Sequence, residues 1–318
     1  MQNTEKLQLL VSVAKLYYVE NMTQNEIANL LGVSRPLISK YLQEAKSLGV
    51  VNIEINDLAG ADNSDEISKL ICKKYGLKTF FVIPASTNKD LNDQMFDDCV
   101  ANFVMDNYVD NSLVGLGWGS VIGAAISKMD SANYKRKLLG KVIPIISNAP
   151  ISYRNYHTNE LVRMLAENTG LKAEYLYSPV ICSNASEKEI FMNTEQVKHI
   201  FEQYPNLDYA IIQIRNFPSV PDLATEARFE KKLHEQHATG MLLGYYFDIQ
   251  GQIITSTHDY SIQIPIENIK NTANTIGIIN ARVGANTALG ALRCGLFDHI
   301  LISESVVAEL MKINILNE

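Results

Sequence analysis

The sequence is poor in cysteine, carries one tryptophan and has no excess of positive charge. Cys72, Cys99, Cys182 and Cys294 are scattered with no C-x-x-C and no paired spacing, which argues against a disulfide framework or a zinc site and suits reduced thiols in a cytoplasm. No apolar run is long enough to cross a bilayer, and the opening MQNTEKLQ lacks the basic and apolar blocks of a signal peptide. A cytoplasmic location with no membrane partner is expected. A formal charge of -7 and a pI near 5.5 exclude a chain coated in positive charge, so contact with nucleic acid has to be local and multiplied by oligomerisation. Lys6, Lys15, Arg35, Lys40 and Lys46 are matched near the N-terminus by Glu5, Glu20, Glu26, Glu44 and Glu54, so one copy should bind weakly.

Apolar material is plentiful: 47% of 318 residues are hydrophobic, enough for a large core and long enough for two domains. The most informative stretch is MTQNEIANLLGVSRPLISKYLQEAKSLG. Thr23 with Glu26 forms the T-x-x-E pattern of a capping box, which starts a helix. Ile27, Leu30 and Leu31 are spaced to face inward, and Gly32 allows the left-handed exit. Ser34 is a second N-cap, followed by Arg35 and by Pro36, whose missing N–H is harmless in a first turn. Ile38, Leu42, Ala45 and, beyond them, Leu48 make the inward stripe. Arg35, Pro36, Ser39, Lys40 and Gln43 fall on the opposite face, which is what a helix presents to phosphates and base edges in a major groove. Helix, short glycine-containing turn, helix is the helix-turn-helix pattern, and double-stranded operator DNA is the expected partner. Thr23, Gln24, Ser34, Arg35, Pro36, Ser39, Lys40 and Gln43 are the expected contacts. The competing reading is a small helical bundle for protein contacts.

Residues 5–18 have helical spacing and should pack on this pair, with Tyr17 and Tyr18 in its core and rim. VVNIEI alternates as a strand that closes the unit like a wing, and DLAGADNSD reads as a linker. The expected domains are 1–56, a winged helix-turn-helix, and 57–318, for effector binding and oligomerisation. From there helical and β-rich runs alternate, giving a layered α/β domain. TNELVRMLAENTG is read as a helix capped by Thr158, DYAIIQI as a strand buried on both faces, and HATGMLLGYYFDIQGQII as an antiparallel excursion turning at Gln250-Gly251.

Ligands of open α/β sheets sit beyond the carboxyl ends of strands, at helix N-termini. The glycine turn Gly115-Leu116-Gly117-Trp118-Gly119-Ser120 follows the strand NSLV and can cradle a phosphate or carboxylate through Gly117, Trp118, Gly119 and Ser120, with Trp118 as a wall or as packing beneath the loop. It is neither a G-x-x-x-x-G-K-[ST] loop nor a full G-x-G-x-x-G fingerprint. Asn148, Arg215 and Asp259 stand at other strand ends, where each is a pocket candidate or an ordinary loop residue. Catalysis finds little support. The spacing in HEQH is too short for H-E-x-x-H, and no G-x-S-x-G elbow is present. No catalytic residue, metal or cofactor is expected.

The stretch VAKLYYVENMTQNEIANLLGVSRPLISKYLQEAKSLGVVNIEI closely resembles the SorC-type bacterial transcription regulators. VGLGWGSVI resembles that family's V-G-V-G/S-W-G-x-T loop, YYFDIQG its F-F-D-x-x-G turn, and CGLFDHILISESVVAELM its closing strand and helix. The resemblance implies a winged helix-turn-helix joined to a Rossmann-like layered α/β effector-binding domain similar to sugar-phosphate isomerases and deaminases. It further implies a homo-oligomer, a dimer or tetramer, whose operator binding responds to a small-molecule effector, by family default a phosphorylated sugar. Several positions depart from the family pattern. Ser147-Asn148 replaces a Gly-Gly loop, and Ile146 stands where one member has a Schiff-base lysine. Gln213-Ile214-Arg215 replaces G-I-G, Gly240-Met241 replaces G-D, and Gly284 stands in place of the pocket lysine. With those partners gone, Arg215 or Arg282 is left to supply positive charge. Three readings remain open: a regulator with a diverged pocket, a regulator with a dead pocket answering to protein partners, and, least supported, an isomerase- or deaminase-like enzyme.

Overall fold

The structure is a computed structural model that describes residues 2–51, 61–86, 88–129, 134, 136–149, 152–219 and 222–313. The chain divides into two compact units, Met1–Ala61 and Asp62–Glu318. The expected wing strand falls mostly on residues 52–55, which lie outside the described residues, as does the expected boundary between 56 and 57.

The first unit holds three helices, α1 (Gln2–Tyr18), α2 (Gln24–Leu31) and α3 (Arg35–Ser47). The capping box at Thr23 forms in full: the Glu26 N–H donates to Thr23 Oγ1 at 3.3 Å and the Thr23 N–H to Glu26 Oε2 at 2.7 Å. The Thr23 N–H and, at 2.8 Å, its hydroxyl both donate to Glu26 Oε2 and hold that carboxyl below its ordinary value. Gly32 ends α2 at φ 64°, where a Cβ would be strained. Ser34 occupies the N-cap of α3 without a side-chain capping bond. Val13, Ile27, Ala28, Ile38 and Leu42 form the core.

Three inward assignments are corrected, the first being Leu31, the last residue of α2, which is 36% exposed. Leu30 is 62% exposed, because the buried centre of α2 lies between Ile27 and Ala28 and position 30 is more than a quarter-turn from it. Leu48 is 55% exposed because it follows the last turn of α3, and the chain leaves at Gly49.

In the second unit α4 (Ala61–Tyr75) starts inside the stretch read as linker. The strands are β1 (Thr79–Ile83), β2 (Ser112–Leu116), β3 (Gly140–Pro144), β4 (Lys172–Ala173), β5 (Tyr209–Asn216), β6 (Gly240–Leu242), β7 (Tyr245–Phe247), β8 (Ile253–Ile254), β9 (Asn274–Ile279) and β10 (His299–Ser303). They form one sheet in the order β1-β10-β9-β5-β2-β3-β4, parallel throughout, with β6, β7 and β8 added antiparallel beyond the end of β5. The first six residues of β5 are all buried, as helices on both faces require. The helix α5 (Lys89–Asn107) follows β1, and α6 (Ser120–Lys128) follows β2 and packs on α5.

The helix Thr158–Thr169 has His157, not Thr158, at its N-cap. Thr158 sits one position inside, fully buried, with its hydroxyl unbonded among the described residues, so it packs rather than caps. After β4 the chain runs on by isolated bridges, Asn148 to Pro179 and Ile181 to Ser261, instead of the long strand expected for AEYLYSPVIC. Pro179 has no N–H to give a ladder.

Candidate functional site

In the first unit, burial of Ile38, Leu42 and Ala45 turns the other face of α3 outward. Arg35, Pro36, Lys40 and Gln43 are exposed and Ser39 is half-buried, at the i, i+3, i+4, i+7 spacing of one helix face. Ser34 and Thr23 are exposed beside them, with Gln24 half-buried. A concavity of about 520 Å³ brings Thr23, Gln24, Tyr17, Tyr18 and Arg35 together. Tyr17 and Tyr18 meet edge to face with centroids 4.9 Å apart, and both pack against the core. Two other cations of this unit are engaged: Lys6 pairs with Glu44, and Lys46 Nζ lies 5.8 Å from the Tyr18 ring centroid. Arg35 and Lys40 make no ion pair among the described residues, so two positive charges remain on the outward face.

In the second unit, the strand order reverses between β2 and β5: β3 and β4 lie to one side, β9, β10 and β1 to the other. Such a switch point opens a crevice at the strands' carboxyl ends. The turn Gly117–Gly119 emerges there and leads into α6. Gly117 donates to Ile211 O at 2.9 Å, pressing the turn onto β5, and Gly119 donates to Asn155 O at 2.9 Å.

The turn is not empty. Gln213, only 7% exposed, accepts the N–H of Val121 on its Oε1 at 3.1 Å, capping the first turn of α6 from the neighbouring strand. A Cβ at Gly119 would lie 2.0 Å from that oxygen, and the glycine adopts φ 141°. The backbone demands glycine there, and a Cβ would in addition displace the Gln213 amide. Sequence reading marked Gln213 only as the first residue of the segment that replaces G-I-G and gave it no role at the site.

Trp118 is 2% exposed and packs under the loop, edge to face with Tyr156 at 5.7 Å, while its Nε1–H has no partner among the described residues. Arg215 lies two residues beyond Gln213 and so on the same face of β5. It is half-buried, its guanidinium 5.2 Å from the Tyr156 centroid, and it donates to Tyr156 Oη at 3.2 Å and to Met241 Sδ at 3.5 Å. It has no carboxylate partner among the described residues. Arg215, Met241 and Tyr246 line up across β5, β6 and β7, and the buried Tyr246 hydroxyl is likewise unbonded. Burial pushes that hydroxyl's pKa up to about 12, so it is a donor at neutral pH.

The remaining expected site residues are spoken for to varying degrees. Ser120, half-buried, opens α6, and Asn148 accepts the Asn159 N–H at 3.1 Å beside a concavity of about 440 Å³ that includes Arg154 and His157. Arg282 is exposed and its side chain pairs with Asp93 of α5, so it is not a free counter-charge; only its carbonyl comes beside Arg215, accepting from Asn216 Nδ2 at 2.8 Å. Asp259 is turned to structure: its two carboxylate oxygens meet Arg228 at 3.0 Å each, and Oδ1 also accepts the Ser261 N–H at 3.0 Å. A concavity of about 980 Å³, lined in part by His234, Glu235 and His258, is open, bears both signs of charge and is walled by two short helices, Thr225–Phe229 and Lys232–Glu235. Size alone does not make it the site.

Beside Arg282, the half-buried Asp97 is pushed up to about 7, first by burial and then by Asp93, against the pull of Lys128 and Arg282. An acid raised on folding costs stability as pH climbs from its unfolded value to its folded one. Asp97→Asn is therefore expected to raise the thermal midpoint at about pH 8 and to leave it unchanged near pH 4. Equal midpoints at the higher pH would show that the carboxylate is not strained there.

The Sugar-bind family profile, a sugar-binding domain, matches residues 61–312. The chain is 24% identical to the sorbitol operon regulator of Klebsiella pneumoniae, over 98% of this chain and 99% of that protein. It is 25% identical to the deoxyribonucleoside regulator of Bacillus subtilis, over 96% and 98%. Its fold superposes on the crystal structure of full-length SorC from Klebsiella pneumoniae with a TM-score of 0.73, covering 96% of this chain and 98% of that one at 23% identity. No described helix is long and apolar enough to cross a membrane. With a sugar-binding domain across most of its length and regulators matching it end to end, the chain belongs to the Sugar-bind family, as a transcriptional regulator of the SorC type.

Proposed function

We propose that α3 reads operator DNA, through Arg35, Ser39, Lys40 and Gln43, with Thr23, Gln24, Ser34 and Pro36 at the phosphate-facing end. The observation that carries this reading is the pair of unpaired cations on the face of α3 opposite its core. We further propose that an effector enters the crevice between β2 and β5, bounded by Gly117, Gly119, Ser120 and Asn148. Arg215 supplies the positive charge, because Arg282 is already paired. The relatives are named for sorbitol and for deoxyribonucleosides, and a sugar or sugar derivative is the effector class proposed here. The effector controls transcription only through different affinities for the DNA-competent and DNA-incompetent states. With a net charge of -7, productive binding requires several copies of α3 on one site, hence a dimer or tetramer acting as a regulator rather than an enzyme.

Selection of genomic fragments on the purified chain, followed by sequencing, tests this. A discrete, roughly palindromic site is expected, and its occupancy should change with one sugar from a metabolite panel. Recovery of no site, with or without the panel, would transfer the helix pair to a protein partner.

A further inference from the structure

At the head of α6 a backbone donor that faces a ligand crevice is already satisfied from within. The Val121 N–H ends on Gln213 Oε1 at 3.1 Å, and the turn is moulded around that carboxamide, since Gly119 leaves no space for so much as a methyl group beside it. With Gln213 only 7% exposed, an incoming oxyanion cannot reach the Val121 N–H unless the glutamine is displaced. The carboxamide also presents a second end: its Nε2 forms no hydrogen bond among the described residues. The Arg215 guanidinium follows on the same strand face, and Trp118 Nε1 nearby in the turn is buried and unpartnered. One peptide N–H of the first turn is thus taken, and the carboxamide that takes it is followed on the strand by a guanidinium.

We propose that Gln213 is a built-in surrogate for a ligand oxyanion: it closes the phosphate position at the head of α6 and restricts the crevice to a polyhydroxy ligand with no phosphoryl group there. This inference rests on the crevice between β2 and β5 being the effector site, and it names that site's specificity-determining residue. The physical basis is competition for one donor. A phosphate docking at a helix N-terminus gains from N–H groups directed at it and from the helix dipole. Here one of those N–H groups, that of Val121, already has a neutral acceptor held in place by the sheet, at no cost in translational freedom. A phosphate would have to break that bond and leave the glutamine amide to find another partner. A hydroxyl group has no such need, since it can accept from Gln213 Nε2 where it stands.

The single tryptophan lies in this turn, so its emission reports on the site directly. Inorganic phosphate and glucose 6-phosphate are titrated separately into the full chain, into Gln213→Gly and Gln213→Ala, which open the position, and into Gln213→Glu, which keeps the shape and adds a repelling charge. In wild type and Gln213→Glu no saturable change is expected in the millimolar range. In at least one opened variant a saturable change is expected with affinity about tenfold or more above the wild-type limit. Two opening variants are used so that a folding failure of one, seen by circular dichroism, leaves the other to decide. Wild type responding as strongly as the opened variants would overturn the proposal, and so would silence in every variant, since Gln213 would then not be what keeps phosphate out. Operator binding is measured on the same wild-type sample; its loss would count against the DNA-reading assignment and leave the phosphate comparison intact.

Discussion

Arg228→Ala is expected to destabilise the α/β unit by about 3–5 kcal/mol, the cost of leaving one member of a buried ion pair alone. Arg228 is 1% exposed. Its Nε and Nη2 meet the two oxygens of Asp259 at 3.0 Å each, a fork that matches a carboxylate. Nη1 donates to Leu223 O at 3.2 Å and Nη2 to Gly244 O at 2.7 Å, while the guanidinium lies 5.0 and 5.7 Å from the Phe229 and Tyr246 ring centroids. Alanine would strand the carboxylate and two carbonyls and leave a cavity between two rings. The double variant R228L/D259L should recover much of the loss, because neither charge then has to be kept from water. Urea titration followed by Trp118 emission reads this unit, and a loss below about 1 kcal/mol in Arg228→Ala would show the pair to be of surface strength.

The same pair sets an acid limit. Burial alone would push the Asp259 carboxyl up, but hydrogen bonds and charge from Arg228 outweigh it and hold it below its ordinary value. Its contribution is fully present above the unfolded carboxylate value, about 3.9, and is lost as pH falls through the lower folded value. In Arg228→Ala the burial effect is unopposed, so acid sensitivity should begin at higher pH. The consequence reaches the crevice, for Arg228 holds Gly244 O while the adjoining Leu243 closes over Gly117.

What could be read from the sequence was what neighbours in the chain decide. The capping box at Thr23, the left-handed exit at Gly32 and the buried run of β5 follow from residues a few positions apart, and each appears in the structure where expected. Leu30, Leu31 and Leu48 were misread because an eight-residue helix has too few turns to fix its buried side, and the last residue of a stripe has no turn after it. Thr158 was misread by one position, within the ordinary uncertainty of helix ends. The site was harder. That the glycine turn enters a crevice was legible from strand, turn and helix order; that Gln213 fills the crevice's deepest donor depends on β2 and β5 being neighbours although nearly a hundred residues separate them. Asp259 and Arg282 carried the right chemistry for a pocket, and only packing revealed that Arg228 and Asp93 had claimed them.

Arg35→Ala is expected to weaken operator binding about 10- to 100-fold per reading helix, and Lys40→Ala somewhat less, with different signatures. Arg35 opens α3, where recognition helices meet base edges, so its loss should cost about 1–3 kcal/mol and relax sequence preference. Lys40 lies more than a turn further along, and as a point charge it suits a phosphate. Its loss should weaken all sequences alike and reduce the slope of log affinity against log salt by about 0.9 for each contact removed. In a dimer on a two-fold site both effects are taken twice, so the acidic chain has little affinity to spare. Neither side chain touches the core of the first unit, so helix content and melting should stay at wild-type values. Fluorescence anisotropy on the selected operator, repeated across a salt series, separates the two roles. If both variants bind as tightly as wild type and with the same salt slope, the outward face of α3 does not read DNA, and its two uncompensated charges await an acidic protein surface instead.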